Sequence, residues 1–378
     1  MHVLLMAPSR RAASETFIRA NLNGFPFRKT VVFGDEYYAD NPLLMAHSCA
    51  ILLSKLLSRL GFLHAASVPA AITTWILVKY YRPNLILVDF GFHAVRVMEA
   101  AFWCQIPLVV HFRGSDASSR TKFHRLKSRY RRLFQFSSGV IAKNKSMKLA
   151  LEKLGADPES FLISPSGANP DLFFGAVPAS SPLKFLSVGR LVEKKGPLQT
   201  LQAFCLLKDL LPESIYQKVE LYIVGDGPLR GDMDTAVRTM NLSSQVKLLG
   251  VLSQEQIAEQ MRTSRAFVQH SMVARDGDSE GNPVAIMEAQ LCGLPVISTY
   301  HAGIPDVVVD GCTGILVREG DVDSMANAMR DLVLEPSMAA RLGAAGRKRV
   351  LQAFTIQHHW SQVSAFLESI FLANGGKN

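Results

Sequence analysis

Two glutamates, Glu280 and Glu288, have seven residues between them, and a helix start falls inside that gap. Asn282 is a favoured N-cap and Pro283 suits the first helical position. The helix is expected to run to about Cys292, with Gly293 and Pro295 as stop signals. Glu280 then belongs to the entering loop and Glu288 to the second turn. They read as two carboxylates on either side of a free helix N-terminus rather than as a paired acid and base. Unpaired N–H groups and the positive end of a helix dipole suit phosphate. Flanking carboxylates suit sugar hydroxyls, so the segment implies a nucleotide-sugar site.

Other residues of this kind stand where strands should end. Arg190 and Lys195 lie in VGRLVEKKG, between a predicted strand and a helix beginning near Pro197. Ligands of open α/β sheets bind at the carboxyl ends of strands. Two cations there would hold a diphosphate and stabilise it as it leaves; the competing reading is a solvated basic loop. The turn VGDGP, with Gly225 and Gly227, is GxG without the rest of a dinucleotide fingerprint. It reads as a tight turn that also lets backbone approach a nucleotide. His111, Arg113 and Asp116 follow another apolar run. A lone histidine there is commonly a core residue, and the clustering shifts the reading toward function. Ser14, followed by Glu15, reads as an N-cap after the first strand. Three Asp-x-Asp pairs occur, at Asp232, Asp276 and Asp321. Asp321 and Asp232 look like helix N-terminal acids; Asp276-Gly277-Asp278, in the loop before Glu280, is the one serious metal candidate. No metal is expected, because Arg190, Lys195 and the helix dipole already offer positive charge.

These residues need a frame. Short apolar runs at 3–6, 85–88, 108–111, 140–142 and 162–164 alternate with helical patterns at 43–60, 68–81, 94–103, 118–136 and 145–154. After a linker-like Gly/Pro/Ser stretch at 175–182, strands recur at 185–188, 221–224, 246–249, 266–268 and 296–298. Alternation of this type means parallel sheets. The predicted class is α/β, two doubly wound Rossmann-like domains facing across a cleft, 1–175 and 182–353. A helix at 354–374 carries one apolar face and would pack back on the first domain. The five cysteines are scattered with no CxxC, and no apolar run reaches eighteen residues. The expectation is a reduced, cytoplasmic protein without structural zinc.

Charge is uneven. Of the net +9, residues 1–175 hold 22 Lys+Arg against 11 Asp+Glu. Residues 113–148 hold 11 bases and one acid, interleaved with Phe123, Tyr130, Phe134 and Phe136. Docking on an anionic membrane surface and a solvated helix face are the competing readings; nucleic acid is not expected.

The run from Asp276 to Val317, DGDSEGNPVAIMEAQLCGLPVISTYHAGIPDVVVDGCTGILV, resembles the donor-binding signature of the retaining GT-B glycosyltransferases of family 4, also called group 1. The GR…KG segment and the VGDGP turn match in the same order. In the first half, SETFI, DFG and HFRGSD resemble the branch that builds exopolysaccharides and colanic-acid-like polymers. The resemblance implies that Arg190 and Lys195 grip the donor diphosphate and that Glu280 faces the donor sugar. It implies that Gly281 and Asn282 contribute the helix-entry amides with Pro283 beside them in the donor site, that Glu288 binds the ribose, and that Gly227 and Val251 border the nucleotide. Arg113, or His111 two positions earlier, would act beside the reacting sugar, with Ser14, Glu15 and Asp116 on the acceptor side. Many members have His-Gly-x-Asp where this chain has Arg113-Gly114-Ser115-Asp116, and a glycine-rich first loop is missing at residues 8–13. The implied reaction moves a hexosyl-type sugar from a nucleotide-diphosphate sugar to a saccharide or lipid-linked acceptor, with no cofactor and no metal. The expected location is the cytoplasm, free or, if the basic stretch docks on lipid, peripheral at the inner face of the plasma membrane. The alternatives within the fold are an epimerase or a phosphorylase; outside catalysis, a nucleotide-sugar-binding protein.

Overall fold

The computed structural model describes residues 1–9, 21 and 24–376. The chain divides into two compact units, Met1–Ser164 with His359–Asn378, and Pro165–His358.

The first unit holds a six-stranded parallel sheet in the order β2-β1-β3-β4-β5-β6. Its strands are β1 (His2–Ala7), β2 (Arg28–Phe33), β3 (Leu85–Asp89), β4 (Leu108–His111), β5 (Gly139–Ala142) and β6 (Phe161–Ile163). β1, β3, β4 and β5 are apolar runs, polar at most at one end, and buried along their length, as strands covered by helices on both faces must be. β2 was not expected. It opens on Arg28-Lys29-Thr30 and buries only Val32 and Phe33, because it is the edge strand. The helix Ile356–Ala373 returns to this unit. Its Val363, Leu367 and Ile370 share a core with Val3, Leu5, Leu87, Val109 and Ile141. A Cβ at Gly139 would stand 2.4 Å from Ile370, so the glycine admits the helix.

The second unit holds β7 (Lys184–Val188), β8 (Glu220–Val224), β9 (Val246–Gly250), β10 (Ala266–Val268), β11 (Val296–Thr299) and β12 (Gly314–Val317). Their order is β12-β11-β10-β7-β8-β9, all parallel. Read from β9, the unit's own strands run third, second, first, fourth, fifth, sixth, the dinucleotide-binding order. Sequence order reverses between β7 and β10, and the loops leaving those two strands mark the ligand crevice of such a sheet. β12 went unforeseen because four residues between turn-rich segments carry little pattern. Residues 165–182 join this unit: Phe173 is buried with Ile286 and Leu291, and the Ala176 N–H donates to Cys292 O at 2.9 Å.

Candidate functional site

The loop leaving β7 is laced to the loop leaving β10. Gly196 has φ +54, and a Cβ there would stand 1.9 Å from His270 O, so only glycine lets the two loops close and the Pro197–Leu210 helix begin. The Arg275 N–H donates to Glu193 Oε2 at 3.0 Å, and the Met272 N–H to Lys194 O at 3.0 Å. Lys194 pairs with Asp278 at 3.0 Å and reaches Ser279 O at 3.3 Å. Lys195 Nζ lies 3.0 Å from Glu280 Oε1. Burial works to raise the Glu280 carboxyl, but Lys195 and Lys194 outweigh it and hold it below the ordinary value. Arg190 is exposed and carries no ion pair among the described residues.

The expected helix runs Val284–Cys292 and ends on Gly293 at φ +101. Its cap differs from the reading of the sequence. Pro283 takes the N-cap position, where no side chain caps the first turn. Asn282 instead donates Nδ2 to Gly303 O at 3.2 Å. The first-turn amides are therefore without a protein side-chain partner, which suits an anion. The Glu280 N–H donates to His301 Nε2 at 3.1 Å, and His301 Nδ1 lies 2.6 Å from Glu319 Oε1. An accepting Nε2 puts the ring proton on Nδ1, facing the carboxylate. Glu319 also accepts from the Val273 N–H at 3.0 Å. The sequence reading missed His301 and Glu319, which lie 21 and 39 residues beyond Glu280 and meet it only through the sheet.

Glu288 is buried, with Gln254 Nε2 at 3.5 Å. Burial lifts its pKa from 4.5 to about 7, against the pull of Lys195. Lys195 is thus the common neighbour of both glutamates. Val251 stands exposed beyond β9. Gly227 has a role the sequence did not suggest: a Cβ there would meet Leu191 O at 2.5 Å. The turn after β8 is glycine-rich so that it can pack on the loop after β7, with Leu191 N–H donating to Asp226 O and Leu229 N–H to Leu191 O, both at 3.0 Å. Of the Asp-x-Asp pairs, Asp321 caps the Val322–Leu334 helix and Asp278 is held by Lys194.

In the first unit a second polar row follows the carboxyl edge. Asp89 ends β3 and His111 ends β4, in register, and Lys143 and Ser164 follow β5 and β6. Arg113 Nε donates to Asp89 Oδ1 at 2.9 Å, and His111 Nδ1 lies 3.6 Å from the same oxygen. Lys143 Nζ donates to Ser164 O at 3.3 Å, and Ser164 Oγ meets His359 Nδ1 at 2.8 Å. The His359 ring is 5.6 Å from the His111 ring. Burial, then Arg113 and Lys143, hold the His111 pKa well below the ordinary imidazole value. Burial and Arg113 push Lys143 well below the usual lysine range. His111 is 0% exposed and the Arg113 side chain 3%, so neither reaches solvent in this conformation. Asp116 is a structural clamp. Its carboxylate accepts from the N–H groups of Gly91, Arg113 and Gly114 at 2.8–3.0 Å, joining the turns after β3 and β4. Ser14 and Glu15 lie outside the described residues. Lys143 carried the same signal as His111, a polar residue directly after an apolar strand, and was overlooked. A cavity of about 850 Å³ lined by Lys79, Arg82, Asn84 and Phe371 opens at the amino ends of β3 and β4, away from this row.

The model described as "Glycosyl transferases group 1" matches residues 170–349. The amylovoran biosynthesis glycosyltransferase AmsK of Erwinia amylovora is 30% identical over 299 residues, 77% of this chain and 72% of the relative. The putative colanic acid biosynthesis glycosyltransferase WcaL of Salmonella typhimurium is 29% identical over 262 residues, 68% of this chain and 63% of the relative. Among solved structures, Anabaena HepE in complex with UDP and glucose aligns with a TM-score of 0.73 at 20% identity, covering 98% of this chain and 100% of that one. The chain belongs to the group 1 glycosyltransferases, and its fold is GT-B.

Proposed function

We propose that the chain moves a hexosyl unit from a nucleotide-diphosphate sugar to a saccharide or lipid-linked acceptor in bacterial polysaccharide assembly, with retention of configuration and without a metal. The observation that carries this reading is the pairing of Lys195 with Glu280 at the β7–β10 switch point, beside an uncapped helix start. Arg190, Lys195 and the first-turn amides of Val284–Cys292 would take the charge that grows on the departing diphosphate. With Lys195 drawn to the phosphate, Glu280 is released to face the sugar, and Glu288 accepts from ribose hydroxyls. Retention follows if the acceptor enters from the leaving-group face and the leaving phosphate takes its proton. The UDP and glucose in the HepE structure support a nucleotide-sugar donor, and the polysaccharide names of AmsK and WcaL support the product class.

Glu280→Ala should lower sugar transfer by roughly 10²–10³-fold, the scale of removing one group that acts on the transition state, while the melting temperature holds. Transfer is followed by product analysis, with isomerised donor and sugar phosphate as the alternative products, and in the presence of EDTA. Undiminished transfer by Glu280→Ala overturns the role of Glu280, and loss of activity with EDTA overturns the metal-free reading.

The membrane reading of residues 113–148 needs one correction. Arg113, Arg129 and Lys143 are buried, with Arg129 paired to Glu99 at 2.8 Å. Arg125, Lys127, Arg131 and Arg132 remain on the outer face of the helix Arg120–Phe136.

A further inference from the structure

Two neighbouring helices of the first unit, Pro42–Arg59 and Val68–Tyr81, turn apolar residues outward as well as inward. The inner residues Leu44, Ile51, Ala70 and Leu77 share one core cluster, so both helices lie in one layer over the sheet. Their outer faces carry Leu52 at 69% exposure, Leu56 at 52%, Ile72 at 47% and Trp75 at 40%. Leu60 and Phe62, on the turn between them, are 64% and 60% exposed. Leu52, Leu56 and Leu60, like Ile72 and Ile76, recur at four-residue spacing, a stripe along each helix. Single exposed apolar residues need no explanation, but two adjacent stripes form a patch of the kind that marks an interaction surface.

Charge says what covers it. No Asp or Glu occurs from residue 41 to residue 88, whereas Arg59, Lys79 and Arg82 stand exposed at the helix ends. The helix Arg120–Phe136 buries Tyr130 and Leu133 in the same cluster, so it belongs to the same layer. Its Arg125 reaches the Ser58 carbonyl at the end of the first apolar helix, and Lys127 and Arg131 are exposed beyond it. A second copy of the chain would set these cations largely against themselves, since Asp35, the carboxylate beside the first helix, is already paired with Lys55. An anionic bilayer answers both parts, headgroups to the cations and the acyl boundary to the stripes, with Trp75 and Tyr80 suited to the interface. Among the described residues no helix is long and apolar enough to cross a membrane, so the contact is interfacial.

We propose that the paired faces of Pro42–Arg59 and Val68–Tyr81 are the membrane-docking surface of this protein, seated on anionic lipid with the basic helix Arg120–Phe136 at its margin. The proposal deepens the lipid-linked acceptor reading and rests on it for its purpose. Its test is independent of that reading.

The full chain is sedimented with neutral phosphatidylcholine vesicles and with vesicles containing phosphatidylglycerol, at low and high salt. Wild type should sediment with the anionic vesicles and lose part of that binding at high salt. The double variant Leu56→Asp with Trp75→Asp should bind about tenfold more weakly or worse, and Lys127→Glu with Arg131→Glu should lose the salt-sensitive part. Nucleoside-diphosphate affinity and melting temperature, taken on the same samples, should not move, which separates this outcome from failure of the glycosyltransferase reading or of folding. Absence of sedimentation with anionic vesicles at low salt overturns the proposal, as does unchanged binding by the apolar variant. A dimer in solution that Leu56→Asp dissociates, with vesicle binding unaffected, would assign the face to a second copy.

Discussion

Both units line the carboxyl edge of a parallel sheet with charged residues, but they treat those residues in opposite ways. In the second unit the cations follow β7 and are partly open: the Lys195 and Lys194 side chains keep 17% and 19% exposure, and Arg190 is on the surface. In the first unit Asp89, His111, Asp116, Lys143 and the Arg113 side chain are all buried. Asp89, Arg113, Asp116 and Lys143 bind one another or backbone, while both ring nitrogens of His111 lack a hydrogen-bond partner among the described residues. Open, incompletely satisfied cations beside an uncapped helix can accept an anion with little rearrangement. A buried row can serve a ligand only after it is opened to solvent. The second unit therefore has the form of a binding site at rest, and the first has the form of a rigid frame whose polar row holds the β3 and β4 turns together.

The sharpest way to break this contrast is to neutralise one ionisable residue on each side. Arg113→Leu leaves Asp89 buried without its partner and should cost about 3–5 kcal/mol, read as a lower denaturant midpoint. Little change there would mean that the row is not a frame. Glu288→Gln separates fold from function in the second unit. A carboxyl whose pKa rises from 4.5 to about 7 on folding holds its proton in the native state where the unfolded chain has lost it. Stability is therefore lost as pH rises between those two values, by about 3 kcal/mol at pH 8. The glutamine variant should melt higher than wild type at pH 8, and that advantage should shrink toward pH 5. A pH-independent difference would contradict the burial argument. Gly196→Ala should cost roughly 2 kcal/mol or more, from the left-handed backbone and the contact with His270 O. It should also weaken nucleotide binding, because the loops after β7 and β10 no longer close.

Much of this was legible in the sequence, for physical reasons that differ by element. Fully buried strands announce themselves as apolar runs, so β1, β3, β4 and β10 were placed within a residue or so. Gly293 marked the end of its helix because a left-handed residue is needed there. β2 opens on polar residues and β12 is four residues between turn-rich segments, so both carry little pattern and were missed. The cap at Asn282 failed for a tertiary reason: its amide is taken by Gly303 O, leaving Pro283 at the boundary. Gly227 was recognised as a turn residue, but the atom that excludes a side chain, Leu191 O, belongs to another loop. The partners of Glu280 and His111, namely His301, Glu319 and His359, are brought in by topology, and no local spacing encodes them.

The central claim is that the open cations of the second unit hold a nucleoside diphosphate. Titration calorimetry of nucleoside diphosphates against wild type, Arg190→Ala and Arg113→Lys tests it directly. Arg190→Ala should weaken the tightest-binding diphosphate by about tenfold or more, the worth of one charge-assisted contact, at unchanged melting temperature. Arg113→Lys should leave that affinity where it was. Equal affinity in wild type and Arg190→Ala, or a loss confined to the Arg113 variant, would contradict the account.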